Sequence, residues 1–96
     1  MNKEVIVKVN WVSAEDGGKK RIPITEYSTA AHFHSDEDGR DWSVILKFFS
    51  HNGTHETTCS LNFLFPDSVP QNLLYVGSKF DLFESKKIAQ GEVIEI

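Results

Sequence analysis

Short runs of two-residue alternation, each closed by turn-forming residues, constrain this chain more than any other feature. In Val5 to Val12, Val5, Val7, Val9 and Trp11 fall on one face and Lys8 and Asn10 on the other, the period of a half-buried β-strand. Glu15-Asp16-Gly17-Gly18 supplies the positive φ angles of a tight turn at which the chain reverses, and Lys19-Lys20-Arg21 follows as a solvated edge. Ile22-Pro23-Ile24 reads as an edge segment, because Pro23 cannot donate a ladder hydrogen bond. Tyr27 to His34 alternates again and ends in the acidic loop Ser35 to Asp41.

The second half repeats the design. Trp42 to Phe49 carries Trp42, Val44, Leu46 and Phe48 on one face and Ile45 and Phe49 on the other, so it is apolar on both sides. The Asn52-Gly53 turn joins it to His55 to Phe65, where Thr57, Cys59, Leu61, Phe63 and Phe65 are in phase and the two strands are expected to pair. Pro66 to Pro70 breaks the pattern, and Gln71 to Tyr75 has room for one helical turn before Gly77. Lys79 to Glu84 and Ile88 to Ile96 complete six or seven strands, joined at the end by Ser85-Lys86-Lys87. With no helix of ordinary length, this is one all-β domain over 1–96. A closed Greek-key barrel is favoured over a sandwich because closure removes exposed strand edges.

Composition narrows the function classes. An apolar share of 40% over 96 residues fills one core and leaves no room for a nucleotide-hydrolysing domain. The formal net charge of −4 opposes nucleic acid as the main partner, since phosphate binders carry the reverse balance. A lone Cys59 excludes an intrachain disulfide and fits a reducing compartment. Met1 to Glu4 leads directly into alternation without the signature of a signal peptide, and no run approaches the roughly 20 apolar residues of a membrane helix. These features point to the cytoplasm and away from a membrane.

Chemistry-bearing residues are few. His32 and His34, a loop acid such as Asp36, and His55 or Cys59 are the one set that could surround zinc, but the close ligand pairs of structural zinc sites are missing. His51 and His55 flank the Asn-Gly turn, where their i, i+4 spacing does not make a helical face. Solvated histidines are the simpler reading. Asp36, Asp38 and Gly39 lack the terminal bidentate Glu and flanking helices of a calcium loop, and Cys59 has no base near it in sequence. No catalytic residue, metal or cofactor is therefore expected.

Two surfaces stand out instead. Lys19, Lys20 and Arg21 in one turn and Lys86 and Lys87 in another form a basic patch if the turns are neighbours, suited to RNA or an acidic protein segment. Ile45, Phe49 and Leu64 point out of phase with the inward series. Clustered, they make an association surface for another protein or a second copy of the chain. Alternatively the loop from Pro66 to Gly77, with Leu73, Leu74 and Tyr75, folds over them.

The order of motifs resembles the third, carboxy-terminal β-barrel of elongation factor Tu. In that family an acidic-Gly-Gly-basic turn precedes a Pro and a strand opened by Tyr, matched here by Glu15 to Lys19, Pro23 and Tyr27. Its last segment is matched by Lys79, Phe80, Leu82 and Glu84, then Lys87, Ile88, Ala89, Gly91 and Val93 after a one-residue deletion. Ser85 and Lys86 replace the family's Gly pair, the middle of the chain matches in pattern alone, and no Gly-x4-Gly-Lys-Ser/Thr nucleotide loop is present. The resemblance implies a barrel that serves as a non-catalytic contact surface, as that domain does toward transfer RNA and partner proteins. It makes an RNA-binding accessory of translation the alternative to protein association.

Overall fold

A computed structural model describes residues 4–13, 15, 17, 25–36, 39–51, 56–65 and 73–96. The alternation becomes six strands: β1 (Val5–Trp11), β2 (Glu26–Phe33), β3 (Asp41–His51), β4 (Glu56–Phe63), β5 (Lys79–Phe83) and β6 (Lys87–Glu95). All pair antiparallel in one closed barrel of order β1-β4-β3-β2-β5-β6. The segment around Pro23 and the Asn52-Gly53 turn lie outside the described residues.

Strands β2, β3 and β4 form a meander, and β1 lies beside β4 and β6. The turn containing Gly17 (φ 95°) therefore reverses the chain without making a hairpin: β1 and β2 run oppositely but never pair. This is the Greek-key arrangement. It follows from the apolar face of β1, which is satisfied by whichever strands enclose it, while turn chemistry reports reversal alone.

Inside, Val5, Val7, Val9, Val44, Leu46, Leu61 and Leu82 are buried from alternate positions. Gly91 lies opposite Phe80 across β5 and β6, and a β-carbon there would collide with the Phe80 ring, so glycine lets the ring lie on the strand. Bulges between Ile6 and Val7, Phe48 and Ser50, and Leu82 and Phe83 add the local twist that closing so small a barrel requires.

Each end is closed by aromatic rings. At one end, formed by the starts of β1, β3 and β5, Phe33 stacks obliquely on Phe63 (5.7 Å between centroids) and Phe80 (5.1 Å). Buried Leu73 and Leu74 join this core from the β4–β5 connection. At the other end Trp11 meets Tyr27 edge-on (6.1 Å) and Phe48 (6.2 Å). We call these the Phe33 end and the Trp11 end.

Candidate interaction surfaces

Ile45, Phe49 and Leu64 do not form one patch. Ile45 is half-buried between Ser28 and Asn62. Leu64, 47% exposed, is tied to Ser43 by its backbone N–H (2.9 Å) at the Phe33 end. Phe49, 62% exposed, occupies the bulge toward the Trp11 end, six residues along β3 from Ser43, a span of about 20 Å. Leu73 and Leu74 turn into the core and leave Phe49 and Leu64 uncovered.

A different apolar surface takes shape at the Phe33 end. Leu64 and Phe65 leave β4 there, Tyr75 and Val76 lead into β5, and Ile94 and Ile96 finish β6. The hydrogen bond from Gly77 N–H to Val93 O (2.8 Å) ties the approach to β5 onto β6. Among the described residues, six of the seven large apolar side chains left exposed belong to this end, and Phe49 is the seventh. Phe65 was expected to point inward with Phe63. β4 instead stops at Phe63 and Phe65 is 66% exposed. The sequence signal for this surface was the adjacency of apolar pairs at strand ends, Leu64-Phe65 and Val93-Ile94, which breaks strict alternation.

The two basic turns are neighbours where they are described. Lys86 Nζ lies 3.8 Å from the place a β-carbon on Gly17 would occupy. Lys87 turns back to Asp81 (Nζ to Oδ1, 3.1 Å), while Lys19, Lys20 and Arg21 lie outside the described residues. The adjacent Tyr27 hydroxyl donates to the Glu84 carboxylate.

The histidines sit on the outer wall. His32 Nδ1 is 3.2 Å from Asp41 Oδ1, and His34 Nε2 is 3.2 Å from Asp81 Oδ2. His32, Asp41 and Asp81 belong to a polar row that crosses every strand in register: Glu56, Asn10, Gln90, Asp81, His32 and Asp41. Burial works against a charge on Asp81, yet Lys87 and His34 hold its carboxyl below the usual carboxylate range. Lys87 meets Oδ1 as an ion pair without the alignment of a hydrogen bond. Below this row a shallow depression of about 230 Å³ is lined by Lys8, Asn10, Lys79, Gln90, Gly91 and Glu92, in which Glu92 stands opposite both lysines in register and offsets their charge.

Asp36 is engaged with Trp42, whose Nε1–H donates to Oδ2 (2.9 Å), and Arg40 covers the Trp42 ring at 4.7 Å. Among the described residues no three histidines, cysteines or acids are grouped to hold a metal ion. His55, the His51 side chain and Asp38 lie outside them. Cys59 faces the core, and burial pushes its thiol up to about 12, so it carries no thiolate at neutral pH. No described helix is long and apolar enough to cross a membrane.

Fold and surfaces together define a small closed all-β barrel with exposed apolar side chains gathered at one end and a charged wall. No protein-family model matches the chain, and no curated protein matches it either.

Proposed function

We propose that this barrel is a non-catalytic protein-binding module of the cytoplasm, translation-factor-like in fold, that associates through the apolar surface of its Phe33 end. The observation that supports this reading is the gathering of Leu64, Phe65, Tyr75, Val76, Ile94 and Ile96 at that end, because exposed apolar side chains scattered singly need no explanation and a bias of six of seven to one end does. The inert Cys59 thiol and the pairing of His32 and His34 with acids fit a contact role better than a reactive one. Affinity capture from the native cell with wild-type bait is expected to recover a protein that a Phe65→Glu bait loses and a Lys86→Ala bait keeps. Recovery unchanged by Phe65→Glu sinks the assignment of this surface.

The adjacency of Lys86 and Gly17 favours a second reading, an RNA-binding accessory of translation that uses Lys19, Lys20, Arg21, Lys86 and Lys87. The net charge of −4 weighs against it. Titration with transfer RNA at two salt concentrations separates the two, since phosphate binding carries a steep salt slope and apolar docking does not.

A further inference from the structure

We infer that the Phe33 end receives a segment of another protein in which an apolar anchor is flanked by lysine or arginine. The inference rests on the protein-binding reading above and names the chemistry of the partner. Strand β4 lies between β1 and β3, so Leu64 and Phe65 leave the wall with Glu4, just before β1, on one side and Asp41, at the start of β3, on the other. Two contacts hold that bracket: the Asn62 amide donates to the Glu4 carboxylate (3.1 Å), and the Leu64 N–H donates to Ser43 O (2.9 Å). On β6 the pattern recurs, with Glu95 opposite Ile6 in register and set between the exposed Ile94 and Ile96.

Negative charge gathers at the same end. Among the described residues there, Glu4, Asp36, Asp41 and Glu95 are acids, and Arg40 and Lys79 are bases. In sequence, the residues before β1 and the β2–β3 and β4–β5 connections add Glu37, Asp38 and Asp67 against Lys3. Acids then exceed bases by four, which equals the net charge of −4 on the whole chain. Both described bases are already engaged, Arg40 over the Trp42 ring at 4.7 Å and Lys79 opposite Glu92 in register. Glu4 meets a neutral amide, which bonds its charge without cancelling it. In such a contact the apolar anchors supply affinity, and the surrounding charges choose the partner by attracting cationic segments and repelling anionic ones. The same acids repel this end of a second copy and an anionic lipid surface.

The probe is a fluorescent peptide with a leucine core flanked by lysines, compared with one that carries glutamate for lysine and one that carries serine for leucine. The wild-type chain should prefer the lysine and leucine peptide to either counterpart by about tenfold or more at low salt. Phe65→Glu should lower the affinity for it. A Glu4→Lys and Asp41→Lys double variant should reverse the preference toward the glutamate peptide. Glu15→Lys with Glu26→Lys makes the same change in net charge away from this end and should leave the preference intact. All four acids are exposed, so circular dichroism should show each variant folded. Equal binding of the lysine and glutamate peptides by the wild-type chain overturns the inference, as does a preference that the Glu15 and Glu26 pair abolishes. A wild-type dimer in sedimentation that Phe65→Glu dissociates gives the surface to a second copy and also overturns it. In the capture experiment, a protein lost by the Phe65→Glu bait and kept undiminished by the Glu4 and Asp41 double variant overturns the cationic partner and leaves the protein-binding reading standing. Recovery unchanged by either bait removes both.

Discussion

Both ends of this barrel are closed by aromatic rings, in different chemical surroundings. At the Phe33 end Phe63 and Phe80 stack on Phe33, all fully or almost fully buried in the same core as Leu73 and Leu74, while Trp42 at the start of β3 is half-buried and donates its Nε1–H to Asp36. At the Trp11 end two of the three rings carry polar handles that are used: Trp11 Nε1–H donates to Thr57 Oγ1 (3.1 Å), and the Tyr27 hydroxyl reaches Glu84. The first end has a phenylalanine interior and an outer rim that mixes six exposed apolar side chains with Asp36, Arg40, Asp41 and Lys79; the second is amphipathic inside and bordered by Glu84, Lys86 and Lys87 outside. An end whose rings are hydrogen-bonded and whose border is charged is finished by water. An end that leaves six large apolar side chains in water is the better candidate for a contact with another apolar surface, which is why the association reading attaches to the Phe33 end.

If that contrast is correct, truncation should cost most at the Phe33 end. Phe80 touches Phe33 and lies on the glycine backbone at Gly91, so its removal leaves a cavity that β6 cannot fill by a side-chain shift. Phe80→Ala is expected to lose about 3–5 kcal/mol of stability in urea unfolding. A loss below about 1 kcal/mol would mean that the ring is not the plug described.

The Trp11 end should respond to loss of a hydrogen bond at constant volume. Thr57→Val keeps the shape and removes the acceptor from a buried indole N–H, a change expected to cost about 1–3 kcal/mol and to shift the near-ultraviolet circular dichroism of Trp11. An unchanged spectrum and stability would show that the handle is solvated and that the two ends are more alike than their composition.

What the sequence made legible follows from what alternation encodes. Val5, Val7, Val9 and Trp11 declare one buried face whatever strand lies alongside, and β1 is found within a residue of its expected bounds. Alternation does not encode the neighbour. The pairing of β1 with β4 and β6 is decided across the whole chain, so the turn at Gly17 could signal reversal without revealing that β2 lies elsewhere. The same limit applies to the surface: Ile45, Phe49 and Leu64 share a phase in sequence, but the antiparallel register of β3 and β4 sets Leu64 beside Ser43 and leaves Phe49 six residues away toward the other end, and the halt of β4 at Phe63 frees Phe65. His32 and His34 were visible, but their partners Asp41 and Asp81 were set by strand register.

The smallest effect is expected on the wall between the ends, where Asp81 holds β5 to the β2 and β6 sides through His34 and Lys87. Its side chain is 17% exposed, so solvent screens the pairs only in part. The sign follows from the direction of its shift. A carboxyl held below its unfolded value favours the folded chain wherever it is ionised, and that advantage disappears as acid protonates it in the folded state. Asp81→Asn should therefore cost about 1 kcal/mol at neutral pH. The gap to wild type should begin to close as the pH falls below the ordinary carboxylate range near about 4, and vanish once the folded carboxyl is protonated. Urea midpoints of both chains across that range measure it, and a gap that is constant with pH would assign the cost of the substitution to shape and leave the charge of Asp81 no part in joining the three strands.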